Sequence, residues 1–300
     1  DIDAVSAEIA TADYMAISVG VSSLPKIVTM LSAGLKKRWN IGNLKPLSIL
    51  ICENMIDSDK YLRELLYNTF DDREKLLFKD LIGLVETSIG RMVPIMTDKM
   101  RKGNILRVCV ESYCELPIDS DSFVGELPLV PQIKPYSPFS YYIRRKLFIH
   151  NMGHTMVAYL GNLCNYKYIW QAAENPAVRK IAEKAMGESA LCLSKCYGID
   201  FSEIKEHIDD LLLRFDNKAL GDTVQRVGRD IGRKLSPNDR FCGALSFCNE
   251  IGVKPTFIPI GIAAAMFFRD DSEGTNYFLN LIDINGFEDV LRGYCQIDDY

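Results

Sequence analysis

The chain of 300 residues is 48% apolar and 25% charged, which is typical of a globular protein and long enough for about two domains. Its 35 basic and 40 acidic side chains give a formal net charge of -5, which argues against a general nucleic-acid binder. None of the nine cysteines forms a Cys-x-x-Cys pair, so we expect no metal site and predict reduced thiols in a cytoplasmic protein. The apolar stretch Phe257–Phe268 is interrupted by Pro259 and is shorter than the roughly 20 residues of a bilayer span. We therefore predict neither a membrane segment nor a signal peptide.

Predicted strands and helices alternate at the start of the chain. Residues Asp13–Gly20 form a short apolar run that ends in glycine, which is typical of a strand buried on both faces of a parallel sheet. The helix predicted after it is capped near Ser22–Ser23 and ends at the basic run 36–38. Leu47–Cys52 predicts a second strand, and Asp59–Phe70 predicts a second helix. This alternation indicates βαβ units.

The middle of the chain suggests more strands and then a domain boundary. We predict further strands between Leu81 and Cys114, among them Ile105–Tyr113, where apolar and polar residues partly alternate. The segment Glu126–Pro138 holds four prolines, which cannot continue a helix. We place the boundary there and divide the chain into residues 1–135 and 136–300.

The second half of the chain carries an apolar period typical of helices. The predicted helices are Tyr141–Leu163, Pro176–Tyr197, Phe201–Phe215, Asp239–Ile251 and Pro259–Phe268. The predicted fold is therefore an α/β domain with a parallel sheet, followed by a mostly helical domain.

Open α/β sheets usually hold nucleotides through a glycine-rich turn at the end of a strand. The chain contains no Gly-x-Gly-x-x-Gly, and it contains no Gly-Lys-Ser or Gly-Lys-Thr of a P-loop. Two interpretations remain open at this point: the sheet is not a nucleotide site, or its first strand and turn precede Asp1.

Three polar side chains with catalytic potential share one predicted helix. At about 100° per residue, His154 lies roughly 80° and Asn151 roughly 140° around the helix from Lys146. We expect the adjacent Arg144 and Arg145 to lower the pKa of Lys146, since positive neighbours disfavour its ammonium form. Such a lysine can act as a general base, an amide can stabilise a developing negative charge, and a histidine can hold a hydroxyl group. The alternative is an exposed polar face.

The residues around this lysine resemble a known family. Lys146-Leu147-Phe148, then Asn151, Gly153 and His154, then Ala158-Tyr159-Leu160-Gly161 are similar to the long-chain polyol (mannitol) dehydrogenases. Three further stretches agree in the right order, namely Cys52-Glu53-Asn54-Met55, Arg226-Val227-Gly228-Arg229 with Arg233-Lys234-Leu235-Ser236, and Gly261–Met266 with Phe268-Arg269. The resemblance runs from Val19 to Arg269.

The resemblance implies an NAD-dependent enzyme that needs no metal. It implies the interconversion of D-mannitol 1-phosphate and D-fructose 6-phosphate on a Rossmann domain followed by a helical substrate domain. We expect the protein to be a monomer or a homodimer. Carried over by position, Lys146 is the general base, Asn151 and Asn54 are amides near the reacting oxygen, and His154 positions the substrate. The resemblance also assigns Arg226, Arg233 and Lys234 to the substrate, and Val19, Gly20 and Asn54 to NAD.

The arginines near residue 230 have a physical argument of their own. Arg226, Arg229 and Arg233 stand three and four residues apart, which predicts one stripe on a helix, opposed locally only by Asp230 and Asp239. Guanidinium groups can hold phosphate oxygens in pairs, so the stripe suits a sugar phosphate. The alternative is an exposed helix held by salt bridges.

Three features depart from the family pattern. Gly90 stands where the family has an aspartate before the arginine, and His150 stands where a smaller or uncharged residue is expected. The glycine fingerprint and its acidic partner are absent, so we expect the front strands of the Rossmann sheet to be missing and this chain, as a fragment, to bind NAD poorly. Alternative functions are a hexuronate reductase, a mannitol 2-dehydrogenase or a non-catalytic binding or regulatory relative. The arginine stripe argues against the first two.

Overall fold

The computed structural model describes residues 1–297, and the chain forms two compact units. The first unit comprises residues 1–91 and 113–143, and the second comprises residues 92–112 and the chain from residue 144 onward. The chain thus leaves the first unit, contributes a short segment to the second and returns. The predicted division into residues 1–135 and 136–300 placed residues 92–112 in the first domain, whereas they belong to the second unit.

The first unit is built around a parallel sheet. Its strands are β1 (Tyr14–Ile17), β2 (Leu47–Ile51) and β3 (Ile82–Glu86), paired in the order β1-β2-β3. The helices around them are α1 (Ile2–Thr11), α2 (Leu24–Asn40), α3 (Ser58–Tyr67) and α4 (Asp72–Leu81). A two-stranded parallel sheet of β4 (Leu116–Asp119) and β5 (Ile133–Tyr136) completes the unit. The predicted strand and helix alternation is confirmed.

Burial follows the position of each strand in the sheet. The central strand β2 is a continuous apolar run, and its Leu47, Ile49 and Ile51 are fully buried. β1 was expected to be buried on both faces, but Tyr14 is 45% exposed. In the described part of the chain β1 pairs with β2 alone, so it is an edge strand and its burial is incomplete.

The predicted strand Ile105–Tyr113 is wrong. This segment is irregular and follows the short helix α5 (Asp98–Arg101). Ile105 and Leu106 are 81% and 85% exposed. The partial alternation of apolar residues reflects no buried face here. What anchors the segment to the second unit is Glu111, whose buried carboxylate forms two hydrogen bonds with Arg214.

The second unit is helical, as predicted. After α6 (Ser140–Arg145), the chain forms a π-helical turn over Lys146–Asn151 and then α7 (Met152–Leu163). The remaining helices are α8 (Ile169–Glu174), α9 (Pro176–Tyr197), α10 (Phe201–Phe215), α11 (Val224–Gly228), α12 (Ile231–Lys234), α13 (Cys242–Glu250), α14 (Ile258–Ala265) and α15 (Glu273–Gly293). Within residues 1–297, no helix combines the length and apolar character needed to cross a bilayer.

The predicted single stripe of arginines is wrong, because the helix that would carry it is interrupted. α11 ends at Gly228, Arg229 is extended, and Asp230 has a left-handed φ of 65° before α12 begins. The turn is fixed by the Asp230 backbone N–H, which donates to Ser272 Oγ and Asp270 Oδ2. Arg226 and Arg233 therefore lie on two separate short helices.

Candidate active site

The π-helical turn places Lys146 at the centre of the candidate site. The turn holds more residues than an α-helical turn, so each residue rotates less around the axis. The angles expected for Asn151 and His154 assumed α-helical geometry and therefore do not hold here. π-helical turns of this kind occur frequently at functional sites.

Close packing holds this turn in place. Phe148 is buried against α13, where a Cβ on Gly243 would lie 3.0 Å from the Phe148 ring. Below the turn, a Cβ on Gly153 would lie 2.5 Å from Met186 Sδ on α9. The two glycines therefore let α9 and α13 pack closely around the segment that carries Lys146.

The amine of Lys146 is strongly perturbed. Burial, and then the positive charge of Arg240, lower its pKa from 10.5 to about 8. The expected direction is confirmed, but the expected cause is not, since Arg144 lies over the Phe247 ring at 4.5 Å instead. Arg240 is buried and is held by Asp239 Oδ1 at 2.7 Å and Thr155 Oγ1 at 3.1 Å.

His154 lies in the same positive environment and is neutral. Burial is the main cause that lowers its pKa to about 4; Asp222 opposes this shift, and the charges of Arg226, Arg240 and Lys234 contribute to it. The ring stacks on Phe215 with centroids 4.9 Å apart. Its Nε2 lies 3.6 Å from Asp222 Oδ2. Stacking and this contact together fix the orientation of the imidazole.

Asp222 is a site residue that the sequence reasoning missed. Its buried carboxylate lies between His154 and Arg226, and Arg226 Nε and Nη2 each donate to it at 2.5 Å. The available signal was its position four residues before Arg226, a spacing at which an acid and a base can pair. The acidic side chains that lie close to the arginines in sequence therefore include Asp222 as well as Asp230 and Asp239.

Lys234 is a second buried amine with a perturbed pKa. It is 4% exposed, and its Nζ donates to the Arg229 carbonyl. Burial, and then Arg240 and Arg233, lower its pKa to about 7. Because Arg240 lowers the pKa of Lys146, His154 and Lys234 alike, these predicted residues share one positive neighbourhood.

The predicted phosphate-binding arginines are both paired with carboxylates. Arg226 is held by Asp222, as described above. Arg233 donates from Nε to Asp230 Oδ2 at 2.6 Å and from Nη1 to Asp239 Oδ2 at 3.4 Å. A substrate phosphate would therefore meet guanidinium groups that already have anionic partners.

The other two histidines of the chain, His150 and His207, also lie in the second unit. His150 is buried, with its ring centroid 6.5 Å from that of His154, and burial lowers its pKa well below 6.5. Burial, Arg145 and Arg214 lower the pKa of His207 to about 3. His150 thus lies inside the packed second unit as a neutral ring, at a position where a smaller or uncharged residue was expected.

The predicted cofactor residues lie in the first unit, Val19 and Gly20 after β1 and Asn54 after β2. The backbone N–H groups of Val19 and Gly20 donate to Glu53 Oε1 at 2.7 and 2.9 Å. Glu53 is buried and follows β2, so it links the loops after two neighbouring strands. Asn54 is exposed in the same loop as Glu53, and its meeting with Lys146 stays a prediction. Sequence reasoning had assigned no role to Glu53.

Gly90 lies beside an aromatic ring. A Cβ at this position would stand 3.3 Å from Tyr113 Cε1, and Arg91 Nε donates to the Tyr113 carbonyl.

Within residues 1–297, no three His, Cys, Asp or Glu side chains come together in a way that could hold a metal ion.

Comparison with known proteins identifies the family. The sequence model of the mannitol dehydrogenase Rossmann domain matches residues 1–131, and that of the mannitol dehydrogenase C-terminal domain matches residues 139–285. The chain belongs to the mannitol dehydrogenase family. A mannitol-1-phosphate 5-dehydrogenase of Bacillus licheniformis is 32% identical over 97% of this chain and 76% of that protein. The family prediction is confirmed.

Two solved structures have a fold similar to that of this chain. The crystal structure of D-sorbitol dehydrogenase in substrate-free form has a TM-score of 0.76 at 16% identity, covering 92% of this chain and 65% of that one. The Pseudomonas fluorescens mannitol 2-dehydrogenase ternary complex with NAD and D-mannitol has a TM-score of 0.70 at 15% identity, covering 89% and 61%. The chain spans less than two thirds of either. The likeness to these two structures, together with the two family-model matches, confirms the predicted fold of a Rossmann-type domain followed by a mostly helical one.

Proposed function

We propose that this mannitol dehydrogenase family member is an NAD-dependent oxidoreductase that interconverts D-mannitol 1-phosphate and D-fructose 6-phosphate. The observation that carries the proposal is a buried lysine whose pKa is about 8, set on a π-helical turn beside a neutral histidine and a group of buried cations. An amine with a pKa near neutrality is suited to general acid–base chemistry.

Lys146 supplies the proton transfer in this proposal. In the oxidation, its neutral amine accepts the proton of the reacting hydroxyl, and in the reduction its ammonium returns that proton to the carbonyl oxygen. With a pKa of about 8, about a tenth of the lysine is neutral at pH 7, and about half at pH 8. Burial and Arg240 together therefore bring the base into the physiological range without any metal ion.

Asn151 and His154 position the reacting oxygen. The amide N–H of Asn151 would donate to the oxygen as negative charge develops on it, which stabilises the transition state more than the bound alcohol. His154 is neutral at pH 7, so it can exchange a hydrogen bond with a substrate hydroxyl without adding charge. Asp222 and Phe215 hold its ring in one orientation.

The first unit offers space for the cofactor. Gly20 has a φ of 86°, and no atom lies within 4 Å of the position that a Cβ would occupy. Ligands of parallel α/β sheets bind beyond the carboxyl ends of the strands, where Val19, Gly20 and Asn54 stand. These residues would hold NAD, which when bound accepts hydride from the carbinol carbon. Glu53 fixes the turn, since it occupies the N–H groups of Val19 and Gly20.

The phosphate is assigned to Lys234 with Arg226 and Arg233. A phosphate dianion near Lys234 would stabilise its ammonium form and raise its pKa above the value of about 7 set by burial. Arg226 is 45% exposed and donates from Nε and Nη2 to Asp222, and its guanidinium also carries Nη1, which can donate to a phosphate oxygen. Because both arginines have carboxylate partners, unphosphorylated D-mannitol is the alternative substrate to be tested.

A steady-state assay of the intact protein tests this function. NADH formation is measured with D-mannitol 1-phosphate and, in parallel, with D-mannitol. We expect turnover of the phosphorylated substrate, loss of at least a hundredfold in Lys146→Ala, and little change in Lys184→Ala, which removes an exposed lysine of α9. Equal rates for the two substrates would refute the substrate class. Unchanged activity in Lys146→Ala would refute the base.

A further inference from the structure

Two buried cysteines meet away from the groups used in the proposed reaction. Cys192 on α9 and Cys248 on α13 are both 0% exposed, and their Sγ atoms lie 3.2 Å apart. A disulfide bond has an S–S length of about 2.05 Å, so the sulfur atoms need to approach by roughly 1.2 Å. Rotation of the two side chains can change the distance between the sulfur atoms on this scale.

The surroundings favour reaction between these two thiols. The hydrogen bond that they share lowers the pKa of Cys192 and raises that of Cys248, so Cys192 ionises first. A thiolate is the form of cysteine that reacts with oxidants. Cys196, one turn further along α9, is exposed and provides an internal comparison.

We propose that Cys192 and Cys248 form an oxidative modification site at which a hydroperoxide generates a disulfide between α9 and α13. The Cys192 sulfur attacks the terminal peroxide oxygen, the O–O bond breaks, and water or an alcohol leaves. The resulting sulfenic acid is then attacked by the Cys248 sulfur, so that the S–O bond breaks, the S–S bond forms and a second water leaves. The two thiols are oxidised by two electrons, and the peroxide is reduced.

The disulfide would join the two helices on which the π-helical turn rests. α13 contacts that turn through Phe247, whose ring centroid lies 5.8 Å from that of Phe148, and Met186 of α9 packs against Gly153, two residues after the turn. A bridge between Cys192 and Cys248, which are 56 positions apart in the sequence, reduces the conformational freedom of the unfolded chain. Oxidation is therefore expected to raise the midpoint temperature of unfolding of the protein.

Mass spectrometry tests the proposal on the folded protein. The intact protein is treated with hydrogen peroxide below its unfolding temperature, free thiols are then blocked with N-ethylmaleimide at acid pH, and the chain is digested with trypsin. We expect a peptide pair that links Ala185–Lys195 to Phe241–Arg269, a loss of two hydrogen atoms per bridge, and reversal by dithiothreitol. The melting temperature should rise on oxidation and return on reduction.

Two variants identify the partner and exclude a neighbour. The second tryptic peptide contains both Cys242 and Cys248, so Cys248→Ser has to abolish the link, whereas Cys196→Ser has to leave it intact. The proposal is overturned if the native protein gains oxygen at Cys196 without forming the linked peptides. It is also overturned if the link persists in Cys248→Ser, since Cys242 would then be the partner. Peptide mapping of the protein without substitutions requires no variant, so this test remains valid if one of the variants fails to fold.

Discussion

Replacing Lys146 with methionine should stabilise the protein while removing its activity. Methionine keeps a long unbranched side chain but carries no charge, so it avoids the cost of burying an ammonium group. The pKa of Lys146 falls from 10.5 to about 8 on folding, and one pKa unit corresponds to about 1.4 kcal/mol, so that cost is about 3 kcal/mol at pH 7.

The sign of the pH dependence follows from the proton balance. Between pH 8 and 10.5 the unfolded chain binds the proton of Lys146 more tightly than the folded chain does, so unfolding takes up a proton and stability rises with pH. The cost of burial is complete below about pH 8 and vanishes above about pH 10.5. The advantage of Lys146→Met should therefore be largest at pH 7 and shrink steadily over this window.

Urea unfolding of the unsubstituted protein and of Lys146→Met, at several pH values between 6 and 10, measures the difference in their free energies of unfolding. Lys184→Met is the matched control, because Lys184 is exposed on α9 and its replacement should change stability little at any pH. If Lys146→Met is less stable than the original at pH 7, or if the difference does not change with pH, the argument that burial sets the pKa of Lys146 is wrong.

Three further predictions concern the residues around the base. Arg240→Gln removes the positive neighbour of Lys146, so the pH profile of the oxidation should move to higher pH and the rate at pH 7 should fall by up to about tenfold, whereas Arg240→Lys should keep the original profile. Asp222→Asn weakens the support of His154, and kcat should fall by about tenfold with a smaller change in KM; an unchanged kcat would show that Asp222 does not position the ring. Lys234→Met should raise KM for D-mannitol 1-phosphate at least tenfold more than KM for D-mannitol, and parallel changes for both substrates would remove Lys234 from the phosphate site.

Local patterns in the sequence predicted the elements well where burial decides them. The continuous apolar run of β2 and the helical period of α9 and α10 each correspond to one buried face or strand, so their positions could be predicted. The prediction of a strand at Ile105–Tyr113 was wrong because its alternating apolar residues are exposed. The segment is held instead by the ion pair of Glu111 with Arg214, which lie 103 residues apart in the sequence. A local pattern carries no information about such a contact.

The candidate site shows the same division between local and distant effects. The position of Lys146 and the direction of its pKa change could be predicted, but the responsible charge is Arg240, which is distant in sequence. The arginine stripe failed because Asp230 interrupts the helix, and what fixes that turn is Ser272 with Asp270, about 40 residues further on. Asp222 was missed because its buried position between His154 and Arg226 arises only when the loop before α11 packs against α7.

The pH dependence of kcat/KM for the oxidation of D-mannitol 1-phosphate at saturating NAD tests the central claim most directly. For the original sequence we expect an ascending limb with an apparent pKa near 8, and we expect this limb to move to higher pH in Arg240→Gln but not in Arg240→Lys. A profile that lacks the limb, or that keeps it at the same pH in Arg240→Gln, would contradict the assignment of Lys146 as the general base.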